Sequence, residues 1–297
     1  MNPHSKSLLP DLVLPSRVNQ RWAMSGMDNP RYCNRVTHWY SYPHAVEYQY
    51  NSRGFRDQEW PQDFTNSIWC LGDSFTVGIG SPQEHTWWYQ LALVTQRRTI
   101  NVSMDGASNQ WISRKACAIL ESGVCDTMVI QWSYTHRRER KDLDAVIDLR
   151  WQRFYQDIQD QSWPRCPPWS QRESLPALIL EEIQQDPAFS QVSVIPDEDL
   201  RIDIPDRESV LEPEHNTQDF LACLHRVEQS AGTAQIVHTF IPHWSDDANI
   251  TRLQQSWPQS RLWLPEIQRL DWARDYHHYD ILTAQQVAQD IKNKLLV

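Results

Sequence analysis

This 297-residue chain lacks several features that mark whole classes of protein. No apolar run is long enough to cross a bilayer, and the first residues contain neither the sustained apolar core nor the small-residue cleavage site of a signal peptide. Positive charge is also scarce: 28 Lys and Arg residues face 38 Asp and Glu residues, which gives a formal net charge of −10. We therefore expect a cytoplasmic protein whose partners include neither membranes nor nucleic acids.

The sequence also lacks paired cysteines. Its six cysteines are spread along the chain without a C-x-x-C pair, the spacing typical of structural zinc sites and redox motifs. This pattern indicates reduced thiols. Tryptophan, by contrast, is abundant, with 15 residues. We expect most of these rings to fill the core, although aromatic faces also stack on sugar rings.

The hydrophobic pattern divides the chain into two regions. Residues 1–66 hold several prolines and tyrosines without a sustained helical period, which predicts a loop-rich lead-in packed on the core, with an edge strand at 47–51. From residue 67 onward, short apolar runs alternate with helical segments, as in parallel strands joined by crossover helices. This predicts an α/β sandwich with a five-stranded parallel sheet. The predicted strands lie at residues 67–71, 99–103, 127–132, 235–241 and 261–264.

Helices are predicted between and after these strands. The first follows Thr86 as its N-cap, two more lie at 110–121 and 217–229, and the last begins with the capping box Thr283-x-x-Gln286. A stretch of about a hundred residues separates the third and fourth strands, far more than the usual connection in an α/β fold. We therefore predict an insertion at about residues 141–215.

A serine stands directly after the first predicted strand, in the segment Gly72-Asp73-Ser74-Phe75-Thr76. There its hydroxyl would be exposed at the carboxyl end of the sheet, near a helix N-terminus whose N–H groups favour negative charge. A serine hydroxyl is a poor nucleophile unless an imidazole takes its proton and a carboxylate orients that imidazole. The segment Asp275-Tyr276-His277-His278 supplies both groups. We therefore predict acyl transfer.

Three segments, in this order, resemble sequence blocks of the SGNH (GDSL-type) hydrolases. They are Gly72-Asp73-Ser74-Phe75-Thr76, Asn101-Val102-Ser103-Met104-Asp105-Gly106 and Asp275-x-x-His278, and the segment 51–56 resembles the one that precedes the serine block in some members. The resemblance implies a flavodoxin-like three-layer α/β/α fold, with residues 67–297 as the hydrolase domain, and hydrolysis of ester or sometimes thioester bonds without a metal or organic cofactor.

The resemblance also implies roles for individual residues. Ser74 would be the nucleophile, His278 the general base and then acid, and Asp275 the group that orients His278. The backbone N–H groups of Ser74 and Gly106 would donate to the tetrahedral oxyanion. Gly106 suits this role, because a residue without Cβ lets the substrate oxygen approach the backbone. Asp73 would make structural hydrogen bonds rather than transfer protons.

The third block of this chain departs from the family pattern. The family carries an asparagine there whose side chain is the remaining oxyanion donor, whereas the matching stretch reads Gln131-Trp132-Ser133-Tyr134-Thr135-His136-Arg137. If Ser133 takes the place of the family's glycine, Thr135 takes that of the asparagine, and its hydroxyl or His136 could donate instead. Loss of one such donor lowers the rate on the order of a hundredfold or more.

Several alternatives stay open at the level of the sequence. Ser74 could cap a helix after a glycine turn, His277 could be the base in place of His278, and His277, His278, Asp275 and Asp280 could be metal ligands. The charged residues 137–140 fit a solvated turn as well as a substrate-facing one.

We interpret the chain as a serine esterase that acts on a small-molecule or saccharide ester, with an O-acetyl or other short acyl group on a carbohydrate as the leading substrate. The alternative is a non-catalytic binding or structural module that retains the hydrolase fold.

Overall fold

The structure is a computed structural model that describes residues 9, 12–14, 17–25, 28, 30, 35–135, 137, 213–242, 262–264 and 266–296. The predicted insertion at about 141–215 lies outside the described residues except for its last three, as do His136 and the charged residues 138–140.

The region before residue 67 contains few regular elements. Strand β1 (Arg21–Trp22) pairs antiparallel with β2 (Tyr48–Gln49), and helix α1 (Val36–Ser41) lies between them in sequence. The apolar side chains of Leu9, Leu12 and Leu14 belong to the same buried cluster as those of the central sheet. The edge strand predicted at 47–51 thus corresponds to the two-residue strand β2.

Five parallel strands form the central sheet, in the order β4-β3-β5-β6-β7. They are β3 (Ile68–Gly72), β4 (Thr99–Ser103), β5 (Thr127–Trp132), β6 (Gln235–Phe240) and β7 (Leu262–Trp263). Counted along the chain this order is 2-1-3-4-5, the flavodoxin-like arrangement. Every residue of β3, β4 and β5 is buried, as expected for parallel strands covered on both faces. The predicted fold class is confirmed.

Helices cover the sheet in two pairs. Helix α2 (Ser74–Val77) and a 3-10 turn (Gln83–His85) are followed by α3 (Trp87–Thr95), α4 (Asn109–Glu121), α5 (Pro213–Ser230) and α6 (Ile281–Leu295). Helix α3 packs against α6, and α4 packs against α5. Thr86 is the N-cap of α3 as predicted, because its Oγ1 accepts the Tyr89 N–H.

The predicted capping box at the start of α6 is wrong. The helix begins at Ile281, so Thr283 lies inside the first turn, and the Asp271 carboxylate caps the helix instead. Its oxygens accept the N–H groups of Leu282 at 2.7 Å and Thr283 at 3.2 Å. A carboxylate satisfies these unpaired donors and interacts favourably with the helix dipole, but it lies ten residues upstream of the helix, beyond any local capping pattern.

The turn at 51–56 has a structural role. Asn51 Oδ1 accepts the N–H groups of Arg53 and Phe55, and the guanidinium of Arg56 is buried. Among the described residues, that guanidinium donates to backbone carbonyl groups alone, those of Glu47, Val77, Gly78 and Ser81. Arg56 therefore joins the lead-in to the segment that follows α2.

Candidate active site

Ser74 lies where β3 ends and α2 begins. Gly72, the last residue of β3, has no room for a side chain, because a Cβ there would collide with Thr76 Oγ1 and lie 3.0 Å from the carbonyl oxygen of Gln131. The strand order reverses at β3, because the next strand along the chain, β4, lies on one side of β3 and all later strands lie on the other. In open α/β sheets, ligands bind outside the carboxyl ends of the strands at such a point.

Asp73 is the residue that caps α2. Its Oδ1 accepts the Phe75 N–H at 3.0 Å, and Ser74 is the first residue of the helix rather than its cap. The alternative that Ser74 stands there as a helix cap is therefore wrong. Asp73 makes the structural hydrogen bonds that we predicted for it.

The structure brings Ser74, His278 and Asp275 into one hydrogen-bonded line. Ser74 Oγ lies 2.8 Å from His278 Nε2, and His278 Nδ1 lies 2.5 Å from Asp275 Oδ2. The other oxygen of Asp275 accepts the backbone N–H groups of His277 and His278, each at 3.0 Å. Both oxygens of the carboxylate are therefore used within its own loop.

The surroundings of Asp275 favour its ionised form. Burial alone would raise the pKa of this carboxyl group, but the neighbouring imidazoles of His278 and His277 and the backbone N–H groups outweigh it and hold the pKa below its ordinary value. An ionised carboxylate at Nδ1 keeps the imidazole oriented with Nε2 toward the serine.

The loop that carries Asp275 fits closely against the segment after α2. Tyr276 has a φ of 55°, in the left-handed region. Gly80 has a φ of 79°, and a Cβ there would lie 3.0 Å from Asp275 Oδ1. The Arg274 N–H donates to the Gly80 carbonyl oxygen at 2.8 Å. Glycine at position 80 thus permits both the local backbone conformation and the approach of the carboxylate.

A buried ion pair holds the same loop from the N-terminal region. Arg274 donates to both oxygens of Asp28, at 2.7 and 2.5 Å, and Asp28 is fully buried. Tyr48 donates its hydroxyl to Asp28 at 2.6 Å and accepts the Gly80 N–H at 2.7 Å. Asp28, Tyr48, Gly80 and Arg274 therefore form a closed set of contacts next to Asp275.

A second chain of side chains connects the strands on which the site stands. Thr76 Oγ1 donates to Gln131 Oε1 at 2.9 Å, and Gln131 Nε2 donates to the Tyr279 hydroxyl at 3.1 Å. All three side chains are buried. This relay joins α2, β5 and the residue that follows His278.

The loop after β4 brings Gly106 toward the serine loop. Gly72 pairs with Ser103 at the ends of their strands, and the Met104 N–H donates to the Gly72 carbonyl oxygen at 3.3 Å. Gly106 has a φ of 75° within a turn closed by a 3.0 Å bond between Ala107 N and Met104 O. Among the described residues, neither the Ser74 N–H nor the Gly106 N–H has a hydrogen-bond partner. Their role as oxyanion donors stays a prediction.

The third predicted donor, Thr135, is buried in the loop after β5 and has a contact of its own. His136, the alternative donor, lies outside the described residues. The start of this loop is fixed by Asn109 at the beginning of α4. Its Oδ1 accepts the Ser133 N–H at 2.8 Å, and its Nδ2 donates to the Ser133 carbonyl oxygen at 3.0 Å.

Comparison with solved structures finds a distant likeness to an acetyl xylan esterase, Est2A, from the rumen bacterium Butyrivibrio proteoclasticus. The two chains are 13% identical, the TM-score is 0.36, and the match covers 80% of this chain and 64% of the other, less than two thirds of its length. No protein-family model matches this chain, and no curated protein does.

The contacts of the neighbouring groups bear on the remaining alternatives. His278 contacts Ser74, whereas the ring of His277 lies 5.7 Å from that of Phe75. Asp280 is bound to His85 Nδ1 at 2.8 Å and to the Tyr42 hydroxyl at 2.5 Å. In the part of the chain that the structure describes, no three His, Cys, Asp or Glu side chains converge as ligands for a metal ion, and no helix is both long and apolar enough to cross a membrane.

Sequence reasoning missed the residues that support the site. Asp28, Tyr48, Gly80 and Asn109 belong to no motif, and their contacts join distant parts of the chain. The only local signal is Gly80, a glycine in the short interval between α2 and the 3-10 turn. Arg137 was recognised only as one residue of a charged run, although its guanidinium contacts Asp73.

Proposed function

We propose that this protein is a serine esterase of the SGNH type that forms an acyl-enzyme on Ser74. The observation that carries the proposal is the hydrogen-bonded line from Ser74 Oγ through His278 to Asp275, with distances of 2.8 and 2.5 Å. Both distances lie within the reach required for proton transfer and for orientation of the base.

The geometry supports a first step in which Ser74 Oγ attacks the ester carbonyl carbon. His278 Nε2 takes the hydroxyl proton as the Oγ–carbon bond forms, and the ionised Asp275 stabilises the resulting imidazolium. The carbonyl oxygen becomes an oxyanion, for which the N–H groups of Ser74 and Gly106 are donors. Collapse of this intermediate breaks the bond to the alcohol oxygen, which leaves with the proton from Nε2.

Water completes the reaction in the second step. His278 Nε2 removes a proton from a water molecule, whose oxygen attacks the acyl carbon bound to Ser74. The tetrahedral intermediate breaks its bond to Oγ, and the proton returns from Nε2 to the serine. The products are a carboxylic acid and the enzyme with its Ser74 hydroxyl restored, so the protein is unchanged.

The proposed substrate is an O-acetyl or other short acyl ester of a carbohydrate. Support comes from two stacked rings beside the base: Trp272, which is 38% exposed, lies 4.5 Å from Tyr276, and Tyr276 stands between Asp275 and His278 in sequence. Tyr276 is half-buried, so the exposed part of Trp272 is the surface that suits a partner with both apolar and hydroxylated faces.

A serine-reactive fluorophosphonate probe and a short-chain aryl ester test the reaction together. Wild type should be labelled and should hydrolyse the ester, whereas Ser74→Ala should lose labelling and at least a thousandfold in rate, on the order expected when a triad member is removed. Acetate release from an acetylated saccharide then tests the acceptor.

Ser81→Ala is a matched control, because Ser81 is also buried after α2 and donates to the Tyr279 carbonyl oxygen rather than to an imidazole. It should keep the label. Ester hydrolysis that survives Ser74→Ala would exclude Ser74 as the nucleophile.

A binding or structural module is the second candidate function, favoured by the missing asparagine in the third block. It predicts a folded protein in which the probe labels neither wild type nor Ser74→Ala. Binding of an acetylated saccharide without acetate release would then support it.

A further inference from the structure

Arg137 reaches from the loop after β5 to the residue next to Ser74. Its Nη1 donates to Asp73 Oδ2 and to Ser133 Oγ, each at 2.8 Å, and lies 3.5 Å from the carbonyl oxygen of Ala107. The Asp73 side chain is fully buried, and that of Arg137 is only 17% exposed. One nitrogen atom therefore contacts the loops after β3, β4 and β5.

The contacted residues are close in sequence to the predicted oxyanion donors: Asp73 to Ser74, Ala107 to Gly106, and Ser133 to Thr135. Because one guanidinium nitrogen contacts all three loops, its removal would let all three donors move relative to the reacting carbonyl group. A displacement of about 1 Å from productive geometry lowers a rate on the order of a hundredfold.

Arg137 also places a positive charge beside a buried carboxylate. Asp73 precedes Ser74, whose Oγ bonds to the substrate carbon that carries the oxyanion, so an uncompensated charge on Asp73 would repel the negative charge of the transition state. Removal of one partner from a buried ion pair leaves such a charge.

We propose that Arg137 is a positioning residue for the oxyanion site, which orders the backbone donors and neutralises Asp73 in a chain whose third block has no asparagine. This inference rests on the proposed function. In place of a side-chain amide that donates to the oxyanion, the loop after β5 contributes a cation that acts through the neighbouring loops.

The test compares Arg137→Gln and Arg137→Lys with wild type on the aryl ester. We expect Arg137→Gln to lower kcat about a hundredfold while KM stays within about threefold, since the interaction matters in the transition state. Arg137→Lys should recover part of kcat, because its ammonium supplies the charge but not the planar fork. Free guanidinium ion, well below denaturing concentrations, should raise the rate of Arg137→Gln and not that of wild type.

The matched control is Arg98→Gln. Arg98 also pairs with a fully buried carboxylate, that of Asp57 at 2.9 Å, and is 28% exposed, but it precedes β4 at the other end of the strand. Its loss should lower stability and leave kcat within about threefold.

A charge test separates positioning from simple folding support. In an Asp73→Asn background no carboxylate needs compensation, so Arg137→Gln should lower kcat by clearly less than it does beside Asp73. A fall of the same size in both backgrounds, without guanidinium rescue, would overturn the inference.

An unchanged kcat in Arg137→Gln would also overturn the inference and leave the esterase intact, provided that wild type is labelled at Ser74. Absence of Ser74 labelling in wild type would overturn the proposed function and this inference with it.

Discussion

The loop that carries Asp275 and His278 and the loop that follows β5 reach the same end of the sheet, but different parts of the chain hold them. The first is held by Gly80 and by the N-terminal residues Asp28 and Tyr48. The second is held by Asp73, which follows β3, and by Asn109 at the start of α4. The acid–base half of the candidate site thus depends on the irregular N-terminal region, and the predicted oxyanion half depends on segments that follow β3 and β4.

The largest effect should follow from removal of the buried charge that pairs with Arg274. Asp28→Asn keeps the shape of the side chain but leaves the guanidinium without its anion, and breaking a buried pair in this way costs about 3 kcal/mol of stability. Fluorophosphonate labelling of Ser74 should also slow, because the Asp275 loop loses its support. Urea denaturation and labelling rates measure the two effects.

Asp63→Ala is the control for that substitution. Asp63 lies in the same N-terminal region but is exposed, and among the described residues it accepts hydrogen bonds from Thr65 alone. Its replacement should leave both the unfolding midpoint and the labelling rate unchanged. If Asp28→Asn behaved in the same way, the dependence of the acid–base half on the N-terminal region would be wrong.

A smaller loss of stability, with a specific loss of activity, should follow from Gly80→Ala. The left-handed backbone costs about 1–2 kcal/mol for a residue with a Cβ, and that atom would also press on Asp275 Oδ1. We expect kcat to fall on the order of a hundredfold through misplacement of the carboxylate.

Gly123→Ala separates these two causes. Gly123 has a φ of 72°, close to that of Gly80, but a Cβ there meets no atom of the described residues within 4 Å. It should reproduce the backbone strain without the loss of kcat. Equal activities for the two variants would show that the contact with Asp275 does not matter.

The smallest effect concerns stability and its dependence on pH. The hydrogen bond to Asp280 raises the pKa of His85 above its ordinary value of 6.5, more than burial lowers it. Protonated His85 is therefore favoured in the folded state. Its contribution is fully present below the ordinary pKa and is lost as the pH rises through the raised value.

His85→Gln should accordingly lower the free energy of unfolding more at about pH 5 than at about pH 9. Denaturation at the two pH values, with wild type in parallel, measures this difference. Labelling of Ser74 should change little, because His85 contacts Asp280 rather than the triad. The opposite pH trend would contradict the assigned ion pair.

The strands were predictable because each is a short apolar run with clear ends. The predicted 99–103 and 127–132 have the observed bounds, and β3 is displaced by one residue. The sequence alone also indicated Ser74, Asp275 and His278, since the chemistry of a serine nucleophile requires these residue types at strand and loop ends.

The supporting residues could not be predicted in the same way, because their partners are distant in sequence. Arg274 and Asp28 are 246 residues apart, and no local period or motif connects them. The prediction of where α6 begins failed for a related reason. Thr283 and Gln286 fit the local capping-box pattern, but the Asp271 carboxylate caps the helix. Sequence patterns report what a segment can do, and tertiary contacts decide among those options.

The relay from Thr76 through Gln131 to Tyr279 has a consequence for any attempt to rebuild this site elsewhere. Transplanting the serine, histidine and aspartate into another sheet of the same strand order would carry over the reactive atoms but not their spacing. The recipient would also need a glycine before the serine turn and a glutamine on the neighbouring strand, with a tyrosine hydroxyl positioned to meet it. The smallest transferable unit is therefore β3 and β5 with the loops that follow them, together with the segment 275–279, not three side chains.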